Sequence, residues 1–344
     1  MSNTRGPAPA YIMDALEPEM SRFDDFVILT TTYKTAHNHE LTVDLIYPKS
    51  LNELSQQLRT PRPVLLRYHG GGLVGGSSLY PAFFNPWYLE LAKGNSAIIV
   101  SPNYRLLPES SVMEILEDVE DHWKWIHQAL PAFLEQQTQG IFQADLSRIM
   151  CVGDSAGGYL SLQMGLNHPS EIRAVNAVYP VVDPKSAHFC NGQERPVLNM
   201  PTFPRDCLER HMEEVKRQEA LTQKPVIVSS GAGNERVELM FSLCQHGRLG
   251  SFFPDNTIAP YPLKKLDQGA RFPRGGVLVL HGKDDTVVPV DESYGLANKL
   301  AEIDPELNFK LIVRDGDHGF DHSAKLRDEW LWNAVQGILK AWLE

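Results

Sequence analysis

Short runs in which nearly every residue is apolar dominate the chain. They are Val64-Leu65-Leu66-Arg67-Tyr68, Ala97-Ile98-Ile99-Val100-Ser101, Ile149-Met150-Cys151-Val152, Ala174-Val175-Asn176-Ala177-Val178-Tyr179, Gly276-Val277-Leu278-Val279-Leu280 and Phe309-Lys310-Leu311-Ile312-Val313. Runs of this length between turn residues predict buried strands, the habit of a parallel sheet. Near the start the pattern differs: Leu41-Thr42-Val43-Asp44-Leu45-Ile46-Tyr47 alternates in and out. It pairs with the β-branched run Phe26 to Tyr33 across His37-Asn38-His39-Glu40, which predicts a hairpin opening the sheet. Other stretches repeat at helical spacing. Ile115, Val119, His122 or Trp123, and Ile126 mark a helix over 115–128 that covers the sheet, and helices are predicted over 293–303 and 325–343. Strands alternating with helices imply a mostly parallel α/β sheet, whose ligands bind at the carboxyl ends of the strands.

The rhythm breaks twice. From Pro184 to about Pro273 the chain is rich in proline and charge, with helical segments near 206–221 and 235–249 and the stretch Ser251-Phe252-Phe253-Pro254. This segment predicts a lid inserted into the α/β core. Residues 1–24 predict an irregular arm with helical potential around Asp14 to Met20. The expected organisation is therefore an arm over 1–24, a core over 25–183 and 274–344, and an insertion over 184–273. No internal repeat is visible.

Composition narrows the function classes. A net charge of −11 over 344 residues leaves no basic stripe to neutralise phosphates, which argues against nucleic acid. Cys151, Cys190, Cys207 and Cys244 are scattered without a C-x-x-C pair, which suits a reducing compartment better than a disulfide framework or a zinc site. The first twenty residues lack the apolar region of a secretory signal, and no apolar run approaches the roughly 18 residues of a membrane helix. The expectation is a soluble protein of the cytoplasm.

The chemistry-bearing turn is Gly153-Asp154-Ser155-Ala156-Gly157-Gly158, between the strand at 149–152 and a helix through Tyr159 to Met164. G-x-S-x-G in that setting is a nucleophile elbow, a turn sharp enough to hold the serine strained and exposed at a helix N-terminus. There the N–H of Ala156 points to where an oxyanion would form. His69-Gly70-Gly71-Gly72 follows another strand, and its glycines leave the N–H groups of Gly71 and Gly72 open as further oxyanion donors. His69 itself is expected to brace that loop.

Past the later strands stand Asp285, in Gly282-Lys283-Asp284-Asp285-Thr286-Val287-Val288-Pro289, and His318, in Asp317-His318-Gly319-Phe320. The chain order Ser155, Asp285, His318 is that of α/β-hydrolase triads: nucleophile, orienting acid, general base. Asp284 rivals Asp285 as its neighbour, but the acid is the fourth residue of G-x-x-D-x-x-V-P. Asp183, His281 and His322 are lesser rivals. His37 and His39 are read as a solvated turn rather than a metal site, and Arg105, Glu109 and Asp118 as structural ion pairs.

Taken together, His69-Gly70-Gly71-Gly72, Asn103-Tyr104-Arg105-Leu106-Leu107-Pro108-Glu109, and Ser147-Arg148-Ile149 running into Gly153-Asp154-Ser155-Ala156-Gly157-Gly158 resemble the hormone-sensitive-lipase-like esterases of the α/β-hydrolase superfamily. The resemblance spans roughly residues 60–183 and 276–322. It implies an eight-stranded, mostly parallel sheet, a cap built from the N-terminal arm and an insertion after the sixth strand, no cofactor, and hydrolysis of small or medium carboxylic esters. It also permits a homodimer through the last strand and helix. Leu73 stands where the family often has an aromatic residue, Tyr159 where asparagine is common, and the segment around Asp285 departs from Asp-Pro-Leu-x-Asp. These departures leave the triad intact and bear on the substrate pocket. Lactone or thioester hydrolysis, deacetylation, a dehydration driven by His318, and a non-catalytic small-molecule receptor are the competing readings.

Overall fold

The computed structural model describes residues 20–53, 60–231 and 234–344. Its apolar runs assemble into one eight-stranded sheet of order β1-β2-β4-β3-β5-β6-β7-β8. The strands are β1 (Phe26–Ala36), β2 (His39–Pro48), β3 (Arg62–Tyr68), β4 (Ile98–Pro102), β5 (Ala144–Asp154), β6 (Ile172–Val178), β7 (Val277–Gly282) and β8 (Phe309–Arg314). As expected, β1 and β2 form an antiparallel hairpin, and β4, β3, β5, β6, β7 and β8 run parallel. The hairpin turn is tighter than expected. His37 and Asn38 carry it with φ of 50° and 68°, whereas His39 already belongs to β2 and its Nε2 lies 2.8 Å from Ser229 Oγ.

Two-residue alternation along the buried strands divides their side chains between two cores. Leu65, Ile99, Val152 and Leu278 face one side, packed with Trp87, Tyr88, Val335 and Trp342. Leu66, Val100, Cys151 and Val279 face the other, packed with Ile115, Val119, Leu160 and Leu296. Each fully buried Leu or Ile contributes about 1.5–3 kcal/mol of apolar burial. The strands look continuously apolar because both faces are covered.

The covering helices are α1 (Pro86–Asn95), α2 (Val112–Gln128), α3 (Leu130–Thr138) and α4 (Ala156–Asn167), with α9 (Asp291–Ile303) after β7 and α10 (Glu329–Leu343) after β8. The sequence reading missed α1 and α3. Each begins with proline in its first turn, where the missing N–H is not needed. The last helix starts later than predicted because Lys325 to Asp328 forms a turn, in which the Lys325 N–H donates to Asp328 Oδ2 at 2.9 Å.

Between β6 and β7 lie α5 (Ala187–Cys190), α6 (Cys207–Thr222), α7 (Asn234–Gln245), a 3-10 turn at Leu249–Phe252, and α8 (Pro262–Asp267). The reading of a helix to residue 249 overran: Gly247, at φ 54°, ends that course. Residues 1–19, on which most of the arm expectation falls, lie outside the described residues. Met20–Phe23 forms a 3-10 turn that packs Phe23 edge-on against Phe84, with ring centroids 5.1 Å apart. Among the described residues no helix is long and apolar enough to cross a membrane.

Candidate active site

Ser155 sits between β5 and α4 at φ 56° and ψ −118°. A non-glycine residue with positive φ is strained by about 1–3 kcal/mol and persists only where its surroundings over-determine it. Here they do. The Ser155 N–H donates to Val178 O at 2.8 Å, tying the turn to β6. A Cβ at Gly153 would stand 2.3 Å from Gly157 O, and one at Gly157 would stand 2.1 Å from Tyr68 O. No side chain fits at either place. The Ser155 hydroxyl itself makes no hydrogen bond among the described residues.

The glycine loop follows β3. Gly71 and Gly72 adopt φ of 105° and 64°, and the N–H groups of Gly71, Gly72 and Ala156 make no hydrogen bond among the described residues. His69 is turned away from the chemistry. Its Nδ1 lies 2.8 Å from Gly70 O, its ring stacks on Tyr104 at 4.2 Å, and the Tyr104 hydroxyl donates to His69 O at 2.6 Å. Burial pushes the His69 imidazole down to about 3, so it is neutral at working pH.

Asp285 follows β7 and His318 follows β8. Asp285 Oδ2 is 2.7 Å from His318 Nδ1, and Oδ1 accepts the N–H groups of Val287 and Val288 at 2.8 Å each. A carboxylate only accepts, so Nδ1 carries the hydrogen and His318 Nε2 keeps a free lone pair. Burial alone would raise the Asp285 carboxyl. The attraction of His318 when its ring is protonated, with hydrogen bonds from His281 and His318, outweighs it and holds the group well below the usual carboxylate range.

Of the rivals, Asp284 and Asp183 are placed elsewhere, whereas His281 and His322 stand at the site in other positions. Asp284 is exposed and bonded to the Gly316 N–H at 3.3 Å. Asp183 Oδ1 accepts the Lys185 N–H at 3.0 Å. His281 lies beneath Asp285: its Nε2 is 2.8 Å from Val288 O and 3.4 Å from Asp285 Oδ2, and its Nδ1 is 2.6 Å from Ser293 Oγ. His322 lines the same cavity as His318.

The sequence reading missed some of the site's supports. Asp317 Oδ1 accepts the N–H groups of Thr286 and His318 at 2.7 Å each, clamping the acid turn to the histidine turn. An aspartate directly before a turn histidine was the available signal. Beneath the elbow, Asn85 Nδ2 bridges Asp154 Oδ1 and Asp321 Oδ2 at 2.9 Å each. The Tyr88 hydroxyl donates to Asp154 at 2.8 Å, and Trp87 Nε1 donates to Asp321 at 2.9 Å. Burial raises both carboxyls above their ordinary range, and each ionised form would repel the other. Arg67 Nη2, 4.0 Å from Asp154, offsets this only in part.

Ser155 and His318 open onto one cavity, continuous with solvent. Its walls are apolar: Phe83 and Val181 from the core, and Phe189, Leu198, Met240 and Phe241 from the segment between β6 and β7. An adjoining recess is lined by Leu73, Ala156, Tyr159 and Phe253, which include the departures noted at 73 and 159. The Tyr159 hydroxyl is turned to Pro260 O at 2.9 Å, so the recess receives its ring and not its polar end.

The family model described as the α/β-hydrolase fold matches residues 65–237. The chain is 32% identical over 330 residues to a protein named probable carboxylesterase M8 from a Phoma species, covering 94% of this chain and 99% of that one. It is 34% identical over 200 residues to probable carboxylesterase clz11 of Cochliobolus lunatus, covering 56% and 87%. Among solved structures, a fungal esterase from Rhizomucor miehei superposes with a TM-score of 0.57 at 20% identity, covering 99% of this chain and 93% of that one, a likeness of fold.

Proposed function

Because the chain belongs to the α/β-hydrolase family, on its hormone-sensitive-lipase-like branch, and is a serine hydrolase of the carboxylesterase kind, we propose that it cleaves small or medium carboxylic esters through an acyl-enzyme on Ser155. The observation that carries this reading is a strained serine sharing one apolar cavity with His318, whose Nδ1 is held 2.7 Å from the buried Asp285.

In the first half-reaction His318 Nε2 takes the Ser155 proton as Oγ attacks the ester carbonyl, then returns it to the departing alkoxide. Asp285 keeps the imidazole in the productive tautomer and stabilises the imidazolium. The N–H groups of Gly71, Gly72 and Ala156 receive the tetrahedral oxyanion; one such donor is worth roughly 3–4 kcal/mol elsewhere. Water, activated by His318, then releases the acid and restores Ser155. Residues 184–273 act as the cap over the cavity, and its apolar walls suit an uncharged ester.

The test is labelling with a fluorophosphonate followed by peptide mapping, alongside turnover of a p-nitrophenyl ester. Ser155 is expected to be the modified residue in the wild type and to stay unmodified in His318→Ala, and Ser155→Ala is expected to lose roughly 10⁴–10⁶ in kcat. Full turnover by Ser155→Ala overturns the proposal. Loss in His318→Ala with retention in Ser155→Ala would instead favour the dehydration reading.

A further inference from the structure

The loop that offers Gly71 and Gly72 is costly to hold in shape. Gly71, Gly72, Leu73 and Gly76 all have positive φ, at 105°, 64°, 61° and 91°, and Leu73 reaches that region without being glycine. Its internal bonds are few: the Val74 and Gly75 N–H groups both return to Gly71 O at 2.9 Å. The remaining restraints come from outside. Leu107 N–H donates to Leu73 O at 2.7 Å from the core side. From the segment between β6 and β7, Gly231 exchanges a pair of backbone bonds with Gly76, at 2.8 and 2.9 Å.

Arg236, on α7, completes the set. Its Nε donates to Val74 O at 2.9 Å, its Nη2 to Leu107 O at 2.6 Å and its Nη1 to Glu109 Oε1 at 2.6 Å. Each nitrogen of the fork is therefore used, and two of the acceptors are on the loop or one hydrogen bond from it. The arrangement is buried, with the Glu109 side chain 1% and the Arg236 side chain 10% exposed. His211 of α6 reaches Glu109 Oε1 at 2.6 Å and lies 3.4 Å from Arg236 Nη1, but among the described residues it makes no hydrogen bond to the loop. Burial would raise the Glu109 carboxyl, but the His211 hydrogen bond and the Arg236 charge hold it below its ordinary range, so the anion is present to receive the fork.

We propose that Arg236 is a positioning residue for the oxyanion loop: seating α7 against the core sets the carbonyl of Val74, and with it the N–H groups of Gly71 and Gly72. This rests on the reading of Ser155 as nucleophile and adds to it that the inserted segment completes the site's polar half, beyond walling the cavity. A fork is required because a lysine at 236 has one nitrogen and cannot span Val74 O, Leu107 O and Glu109 together.

The experiment compares Arg236→Met, Arg236→Lys and His211→Ala by kcat, KM and Tm on a p-nitrophenyl ester. Arg236→Met is expected to lose roughly 30–100-fold in kcat with KM within about threefold, since the missing stabilisation belongs to the transition state. Arg236→Lys is expected to lose at least about tenfold with Tm nearly kept, and His211→Ala under about threefold, since His211 stabilises the cluster without touching the loop. Equal losses in His211→Ala and Arg236→Met, or a wild-type kcat in either Arg236 variant, overturn the proposal. If Arg236→Met does not fold, Arg236→Lys decides alone. Amide exchange at Val74, Gly75 and Gly76, expected to be faster in Arg236→Lys than in the wild type, reads the loop without any turnover. A failure of Ser155→Ala to abolish hydrolysis therefore leaves the loop restraint separately tested, and unchanged exchange sinks the restraint alone.

Discussion

Asp285 and Asp154 are both carboxylates buried beside the Ser155 and His318 cavity, yet their surroundings shift them in opposite directions. Asp285 is met by the N–H groups of Val287 and Val288 and by His318, and is held ionised. Asp154 is met by the neutral donors of Asn85 and Tyr88 and by a second acid, Asp321, behind the same amide. Its carboxyl is pushed up by burial and by Asp321, against the pull of Arg67. Depth is therefore not what sets the charge. The partners decide, and the difference keeps an anion fixed against Nδ1 of the base, where a developing imidazolium needs it.

The strongest way to break that contrast is Asp285→Asn. The amide can accept the two backbone N–H groups but carries no charge, and its NH₂ competes to turn the imidazole into the unproductive tautomer. The expected loss in kcat is roughly 10⁴, read at saturating p-nitrophenyl ester, with folding checked by circular dichroism. A loss below tenfold would take Asp285 out of the mechanism.

The two carboxylates also differ in how far they could be read from sequence. Asp285 was legible because its setting is local: a strand end, then Gly282-Lys283-Asp284-Asp285 and Val288-Pro289. The elbow is likewise written in consecutive residues, since the sterics that demand Gly153 and Gly157 act within one turn. The Asp154 cluster was not legible. Its bridge, Asn85, lies 69 residues from Asp154 and 236 from Asp321, and only the packed sheet brings them together. The cavity walls were hidden for the same reason: Phe189, Leu198, Met240 and Phe241 come from a stretch without strand rhythm, whose side chains acquire a direction only on docking. The strands and their mostly parallel run were legible because burial on both faces writes unbroken apolar runs, whereas the order β1-β2-β4-β3-β5-β6-β7-β8 was not.

Asp321→Asn sharpens the comparison at an intermediate scale. An acid whose carboxyl is raised in the folded state stabilises the fold below the ordinary carboxylate range near 4, and that contribution is lost as pH rises through its folded value. Two such acids share one amide here, so the wild type gives up stability as the solution moves from mildly acidic to alkaline. Replacing Asp321 removes one ionisation and lets Asp154 ionise against Arg67 without a like neighbour. Relative to the wild type, Asp321→Asn is expected to gain about 1–3 kcal/mol in urea unfolding at pH 8 compared with pH 5. A variant that tracks the wild type in parallel across that window would show that the pair does not repel.

Tyr88→Phe makes the finest distinction. The Tyr88 hydroxyl donates to Asp154 Oδ1 at 2.8 Å and works to lower the Asp154 carboxyl. A hydrogen bond to a neutral carboxyl is worth about 1 kcal/mol, and one to a carboxylate roughly twice that. Phenylalanine keeps the ring against Trp87, whose centroid is 4.1 Å away, so the packing is little changed and the missing donor is what unfolding reads. The expected destabilisation is about 1 kcal/mol at pH 5 and larger at pH 8, where a greater share of Asp154 is ionised. The same substitution leaves Asp285 and its donors untouched, so kcat at a fixed pH is expected to change by less than about threefold. A loss in kcat matching that of Asp285→Asn would mean that the two acids act as one unit, and the contrast between them would fall.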